Sequence, residues 1–121
     1  MFPYTLYKVV HIFGIVMLAT GLSGLAFTAE TRSSWSRRFA FIFHGVGLFL
    51  VLLGGFGMLA RLGFGPDVSW PGWIWAKAII WGILGVAAML PYRFPGTARA
   101  VLIALPILGG LAAYIAIYKP F

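Results

Sequence analysis

Four residues of this 121-residue chain combine charge or ligating capacity with an apolar setting: Lys8, His11, Arg61 and Lys77. An imidazole can hold a metal ion or pass a proton near neutral pH. Lysine and arginine can anchor acidic groups. The chain has only two acids, Glu30 and Asp67, and both fall between the apolar runs. An ionisable group inside such a run is costly, so it usually pairs or marks a functional site. The counter-charge for this cluster is therefore expected from Asp67, a lipid phosphate, a partner subunit or an anionic ligand such as a propionate. Snorkelling is the alternative, because Lys8 and Lys77 lie close enough to the ends of their runs to reach water.

Helical spacing places Tyr7, Gly14, Leu18 and Gly21 on the His11 face. Small neighbours beside a histidine leave room for something flat or bulky. The second histidine, His44, shares a face with Gly47, Val51, Gly54, Met58 and Arg61. The two histidines are expected to differ in depth by roughly 10 Å at the helical rise of about 1.5 Å per residue. One haem bridging both within a protomer is thus disfavoured. Met58 is expected at about the depth of His11, and imidazole plus thioether is a known haem pairing. His11 and Met58 are accordingly candidate cofactor residues, with His11 the candidate metal ligand and Tyr7, Lys8, Arg61 and Lys77 around it. Each has a plainer reading: hydrogen bonding across helices for the histidines, packing for Met58. Lys77 lies between Trp73 and Trp81, one turn to either side.

The elements that must position these groups follow from composition. Hydrophobic residues make up 62% of the chain and charged residues 9%, far from a soluble domain. A bilayer core of about 30 Å needs roughly 20 apolar residues per helix. Spans are expected at about 4–27, 38–62, 73–90 and 97–118, forming one all-α membrane domain over 1–121. Short connections favour an antiparallel up-down four-helix bundle. Pro91 is expected to end the third span and Pro106 to kink the fourth. Continuous rather than alternating runs exclude a β-barrel.

The net charge of +7 does not indicate nucleic acid, since the cations sit at the ends of apolar runs. Arg32, Arg37, Arg38, Arg93 and Arg99 gather on one side. Arg61 and Lys119 belong to the other, joined by Lys8 if it snorkels outward. The positive-inside rule then puts both termini outside the cytoplasm. Trp70, Trp73, Trp75, Tyr4, Tyr7, Tyr114 and Tyr118 cluster toward that outer side as an aromatic belt. A cleavable signal is not expected, for the first run lacks a basic leader and a small-residue cleavage site. With no cysteine and only two histidines, thiolate chemistry and a typical zinc site are not expected. Small residues four apart, Thr20 and Gly24, Ala78 and Gly82, Gly109 and Ala113, are expected to bring helix backbones close. No strong internal repeat stands out.

Several segments carry a resemblance. "LYKVVHIFG" and "WIWAKAIIWGILG" resemble the Lys-x-x-His and Trp-x-x-x-Lys patterns of small bacterial membrane proteins of the SirB-like, HemJ-type and CopD-like groups. "FHGVGLFLVLLGGFGML" is similar to the second SirB-like span. The resemblance implies a bacterial inner-membrane four-helix protein, and through the haem-binding HemJ-type enzymes a functional histidine at His11 and lysine at Lys77. The chain is shorter than those enzymes. It also lacks their basic residue near the end of helix one, the nearest being Arg32. The leading expectation is redox work on haem b, another acidic tetrapyrrole or a quinone in the outer half. There His11 would act as ligand or proton-transfer group, and Lys77, Lys8 and Arg61 would anchor acidic groups. Its competitors are a non-catalytic accessory subunit of a membrane complex and a small oligomeric transporter. Self-association or partner membrane subunits accompany all three.

Overall fold

The computed structural model describes residues 2–29, 34–65, 67 and 69–121, so the expected roles of Glu30 and Arg32 lie outside the described residues. Five α-helices follow one another: α1 Tyr4–Phe27, α2 Ser34–Arg61, α3 Gly72–Ala87, α4 Met89–Arg93 and α5 Ala98–Tyr118, the last preceded by a 3₁₀ turn at Pro95–Thr97. No strand occurs among the described residues. Four segments, Tyr4–Phe27, Trp35–Arg61, Gly72–Arg93 and Pro95–Tyr118, are long and apolar enough to cross a membrane.

These limits match the expected spans at most ends, with two differences. The second helix begins at Ser34, one turn before Arg38. The third is interrupted at Ala88 and resumes as the short α4, which contains Pro91. Proline has no N–H to give the carbonyl four residues back and its ring crowds that carbonyl. That carbonyl belongs to Ala87, where α3 stops. By contrast, α5 runs through Pro106 without a break.

α1 and α2 pack more closely than any other pair. They are antiparallel and knit together by glycine. A Cβ on Gly14 would stand 2.6 Å from Val51 N and 2.9 Å from Gly47 O. One on Gly54 would stand 2.6 Å from His11 N and 2.7 Å from Tyr7 O. Gly21 meets the backbone of Ala40 and His44 as closely, and Gly47 that of Gly14 and Leu18. Only hydrogen fits at these four positions, and close backbone approach is what holds apolar helices together where no water drives association.

Those contacts form matched pairs. His11, Gly14, Leu18 and Gly21 on α1 correspond, 33 positions later, to His44, Gly47, Val51 and Gly54 on α2. Gly14 meets Gly47 and Val51, while Gly47 meets Gly14 and Leu18; Gly21 meets His44, while Gly54 meets His11. A local two-fold axis between Ile15 and Leu48 relates the two helices. The repeat that did not stand out in the sequence is therefore present, as His-x-x-Gly-x-x-x-[Leu/Val]-x-x-Gly in each helix.

α3 and α5 pack more loosely against this pair. The start of α3 meets the end of α5, where Gly72 N–H donates to Phe121 O at 3.1 Å. At the other end Leu22, Leu25, Ala40, Ala88 and Val101 form the buried core, flanked by Leu84, Ala87 and Leu105. Of the glycines in the three small-residue pairs, only Gly24 borders a neighbouring helix closely, at Ala40. Gly82 and Gly109 face open space, so the expected approaches through Ala78–Gly82 and Gly109–Ala113 do not form within the protomer. Both lie on helices with few close neighbours, and spacing alone does not say which helix faces meet.

Candidate functional site

Both histidines are held by the same kind of bond. His11 Nδ1 lies 2.8 Å from Val51 O, and His44 Nδ1 lies 3.3 Å from Leu18 O. A carbonyl can only accept, so in each case Nδ1 carries the hydrogen and Nε2 of the neutral ring keeps its lone pair. That tautomer suits a metal-ligating histidine, whose other nitrogen usually donates to a carbonyl or carboxylate. The two bonds are equivalent under the local two-fold axis, since Val51 and Leu18 are matched positions.

The surroundings of the two rings break the symmetry. Beside the His11 ring stands Gly55, whose absent Cβ would fall 3.6 Å from Cε1 and Nδ1. The matched position on α1 is Leu22, which is completely buried. His44 is 2% exposed and its Nε2 finds no hydrogen-bond partner among the described residues. His11 is only half-buried. His44 is thus buried and His11 only half-buried, and the matched positions 22 and 55 differ in carrying leucine and glycine.

Around His11 the structure gathers some of the expected residues. Lys77 is near enough to His11 to act on it electrostatically, and Lys119 to act on Lys77. Lys77 is partly buried and makes no hydrogen bond or ion pair among the described residues. Lys119, in a left-handed backbone conformation at the end of α5, sits 5.3 Å above the Trp73 ring and donates to Ala116 O. Lys119 was not among the expected site residues. Its position past the last span hid it, although the docking of the chain end on Gly72 brings it over α3.

The other candidates lie apart from the His11 ring. Tyr7 stands one turn outward, its ring against Gly57. Met58 belongs to that level too, one turn beyond the Gly54 contact, rather than to the level of His11. Lys8 is exposed, and so is Arg61 at the end of α2. The pairing of α1 with α2 sets His11 and His44 about 12 Å apart along the helix axis, so one iron does not reach both. No group of three or more metal-ligating side chains occurs among the described residues. The concavity lined by Arg37, Arg38, Phe41, Met89 and Tyr92 and the one along Thr20, Gly24 and Phe39 both lie away from His11.

Aromatic residues cluster at the His11 end. Trp70 packs against Phe56 and Trp75, and Phe64 against Trp73. Trp70 Nε1 donates to Gly65 O at 3.2 Å. Trp81, on the far side of Lys77, donates its indole N–H to Leu48 O at 3.0 Å, close to the local two-fold axis.

Comparison with known protein families, with curated proteins and with solved structures gave no match.

Proposed function

We propose that this chain is a small integral protein of the bacterial inner membrane that binds haem b, another acidic tetrapyrrole or a quinone at His11 for redox work. In this reading the four apolar segments cross the bilayer up-down-up-down with both termini on the non-cytoplasmic side. The observation that carries it is the contrast between the two matched histidines: both have the tautomer that leaves Nε2 its lone pair, but His44 is buried and His11 only half-buried, with glycine beside its ring. Lys77 and Lys119 supply positive charge that no described carboxylate offsets, which suits propionates or a developing anion. Haem, when bound, supplies one-electron chemistry. His11 would provide its nitrogen, and the lysines would hold the acidic edge.

The fit is partial, because the His11 ring has one packed neighbour, Gly55, and no second ligating side chain is shown beside it among the described residues. The remaining wall is therefore assigned to a second copy or a partner subunit docked on the open faces of α3 and α5. That same openness favours a second reading, an accessory subunit whose unpartnered glycine faces serve assembly and whose cations serve lipid.

The test is an absorption spectrum of protein purified in mild detergent, before and after reduction. A strong band near the violet edge that shifts on reduction is expected, lost in His11→Ala and retained in His44→Leu. Gly55→Leu is also expected to lose it, because a side chain there fits beside the half-buried ring at ordinary contact distance and covers it. A bare aromatic spectrum after expression with haem precursor, and no quinone extractable from the purified protein, sinks the redox reading and leaves the accessory subunit.

A further inference from the structure

At the end of the molecule opposite His11, a concavity of about 280 Å³ is lined by Arg37, Arg38, Phe41, Met89 and Tyr92. Its charged lining is two guanidinium groups, and no acidic residue lines it among the described residues. Arg37 is fixed in place. Its Nη2 donates to Tyr92 O at 2.8 Å and its guanidinium lies 4.2 Å from the centre of the Tyr92 ring. Stacking on an aromatic face orients the planar fork while leaving most of its N–H groups free. Arg38 makes no hydrogen bond or ion pair among the described residues. The walls are apolar, with Phe41 edge-on to Tyr92 at 5.3 Å and Met89 beside it.

This arrangement follows from the break at Ala88. α3 stops at Ala87, and the short α4, with Pro91 inside it, carries Met89 and Tyr92 to the first turns of α2. Two forks over an apolar floor suit a phosphate whose attached group is itself apolar. Guanidinium groups bind phosphate oxygens bidentately, and basic pockets at the ends of spans take acidic headgroups.

We infer that Arg37 and Arg38 form a binding site for the phosphate of an anionic phospholipid, whose chains continue along Phe41 and the apolar surface below it. The inference rests on the membrane-spanning reading above and not on any role for His11. A soluble phosphate shares the headgroup's charge but gains nothing from Phe41 and Met89.

The experiment uses the full chain in nanodiscs of phosphatidylcholine, with and without phosphatidylglycerol, and counts bound lipid by native mass spectrometry after release into detergent. About tenfold enrichment of phosphatidylglycerol over phosphatidylcholine is expected, falling toward none in Arg37→Gln/Arg38→Gln and unchanged in His11→Ala. Arg38→Gln alone guards against misfolding of the double variant, since Arg38 is exposed and makes no hydrogen bond or ion pair among the described residues, and it too is expected to reduce enrichment. Equal retention of the two lipids, or enrichment indifferent to both variants, overturns the inference. Displacement by millimolar inorganic phosphate reassigns the site to a soluble phosphoryl compound and also overturns it. Failure of the chain to enter either nanodisc removes the membrane reading itself, whereas insertion without lipid preference removes only this site.

Discussion

Replacing Gly54 with alanine probes the α1–α2 contact and the histidine it supports at once. The added Cβ would lie 2.6 Å from His11 N, 2.7 Å from His11 Cβ and 2.7 Å from Tyr7 O, where ordinary contact begins at 3.4 Å. Two of these three atoms are backbone, so no side chain can swing aside. α1 must retreat locally by about 0.8 Å, a shift of the size that overpacking forces at a cost of about 1–3 kcal/mol. The same retreat stretches the 2.8 Å bond from His11 to Val51; an interhelical bond of this kind contributes about 0.6–2 kcal/mol in lipid. Alanine's better helix propensity offsets about 1 kcal/mol. The net is a loss of about 2 kcal/mol. Gly82→Ala is the control, for nothing lies within 4 Å of its Cβ position, and it is expected to gain up to about 1 kcal/mol from propensity alone. Titrating both variants with a denaturing detergent in mixed micelles, with helicity followed by circular dichroism, measures the difference. Opposite signs about 3 kcal/mol apart are expected. If Gly54→Ala proves as stable as Gly82→Ala, the reasoning that glycine is required at the α1–α2 contact is refuted.

Further outcomes follow from single contacts. His44→Leu is expected to change stability by less than about 1 kcal/mol in the same titration, because it removes a long 3.3 Å bond together with a buried nitrogen that has no partner. A loss above about 3 kcal/mol would show that Nε2 does hold something. Trp81→Phe is expected to cost about 0.6–2 kcal/mol through the bond to Leu48 O, with Trp75→Phe, at an exposed ring, as the silent comparison. The absence of cysteine allows a clean cross-linking test: Ala88→Cys with Val101→Cys is expected to form a disulfide on mild oxidation, since both belong to one buried cluster. Ala88→Cys with Ile115→Cys, at the opposite end of α5, is expected to give none.

The four spans were legible because hydropathy over 20 residues is a strong signal. The break at Ala88 was legible in part, through Pro91, although the helix stops four residues before the proline rather than at it. The α1–α2 register was written in the chain yet hard to see. Two histidines, four glycines and a Leu/Val pair are sparse matches across 33 residues, and they gain meaning only when antiparallel pairing sets each copy against the other. His11 and Lys77 were legible as unusual groups in apolar runs. The placing of Gly55 beside the His11 ring was not, since one glycine among five in α2 becomes informative only beside its counterpart Leu22. Ala78–Gly82 and Gly109–Ala113 misled because small-residue spacing records a face that can approach a neighbour without naming one.

The local two-fold axis bears on how such a chain is inserted during synthesis. Turned upside down, the interlocked part of the first hairpin presents nearly the same series of histidine, glycine and branched residues. On the membrane-spanning reading, its interior therefore gives the insertion machinery little reason to prefer one direction. The decision falls to what lies outside the matched segments, chiefly Arg37 and Arg38 at one end and the tryptophans at the other. Moving a few cations across the loops would be enough to invert the hairpin without disturbing its packing, which makes those surface charges the determinants of sidedness for everything that follows them.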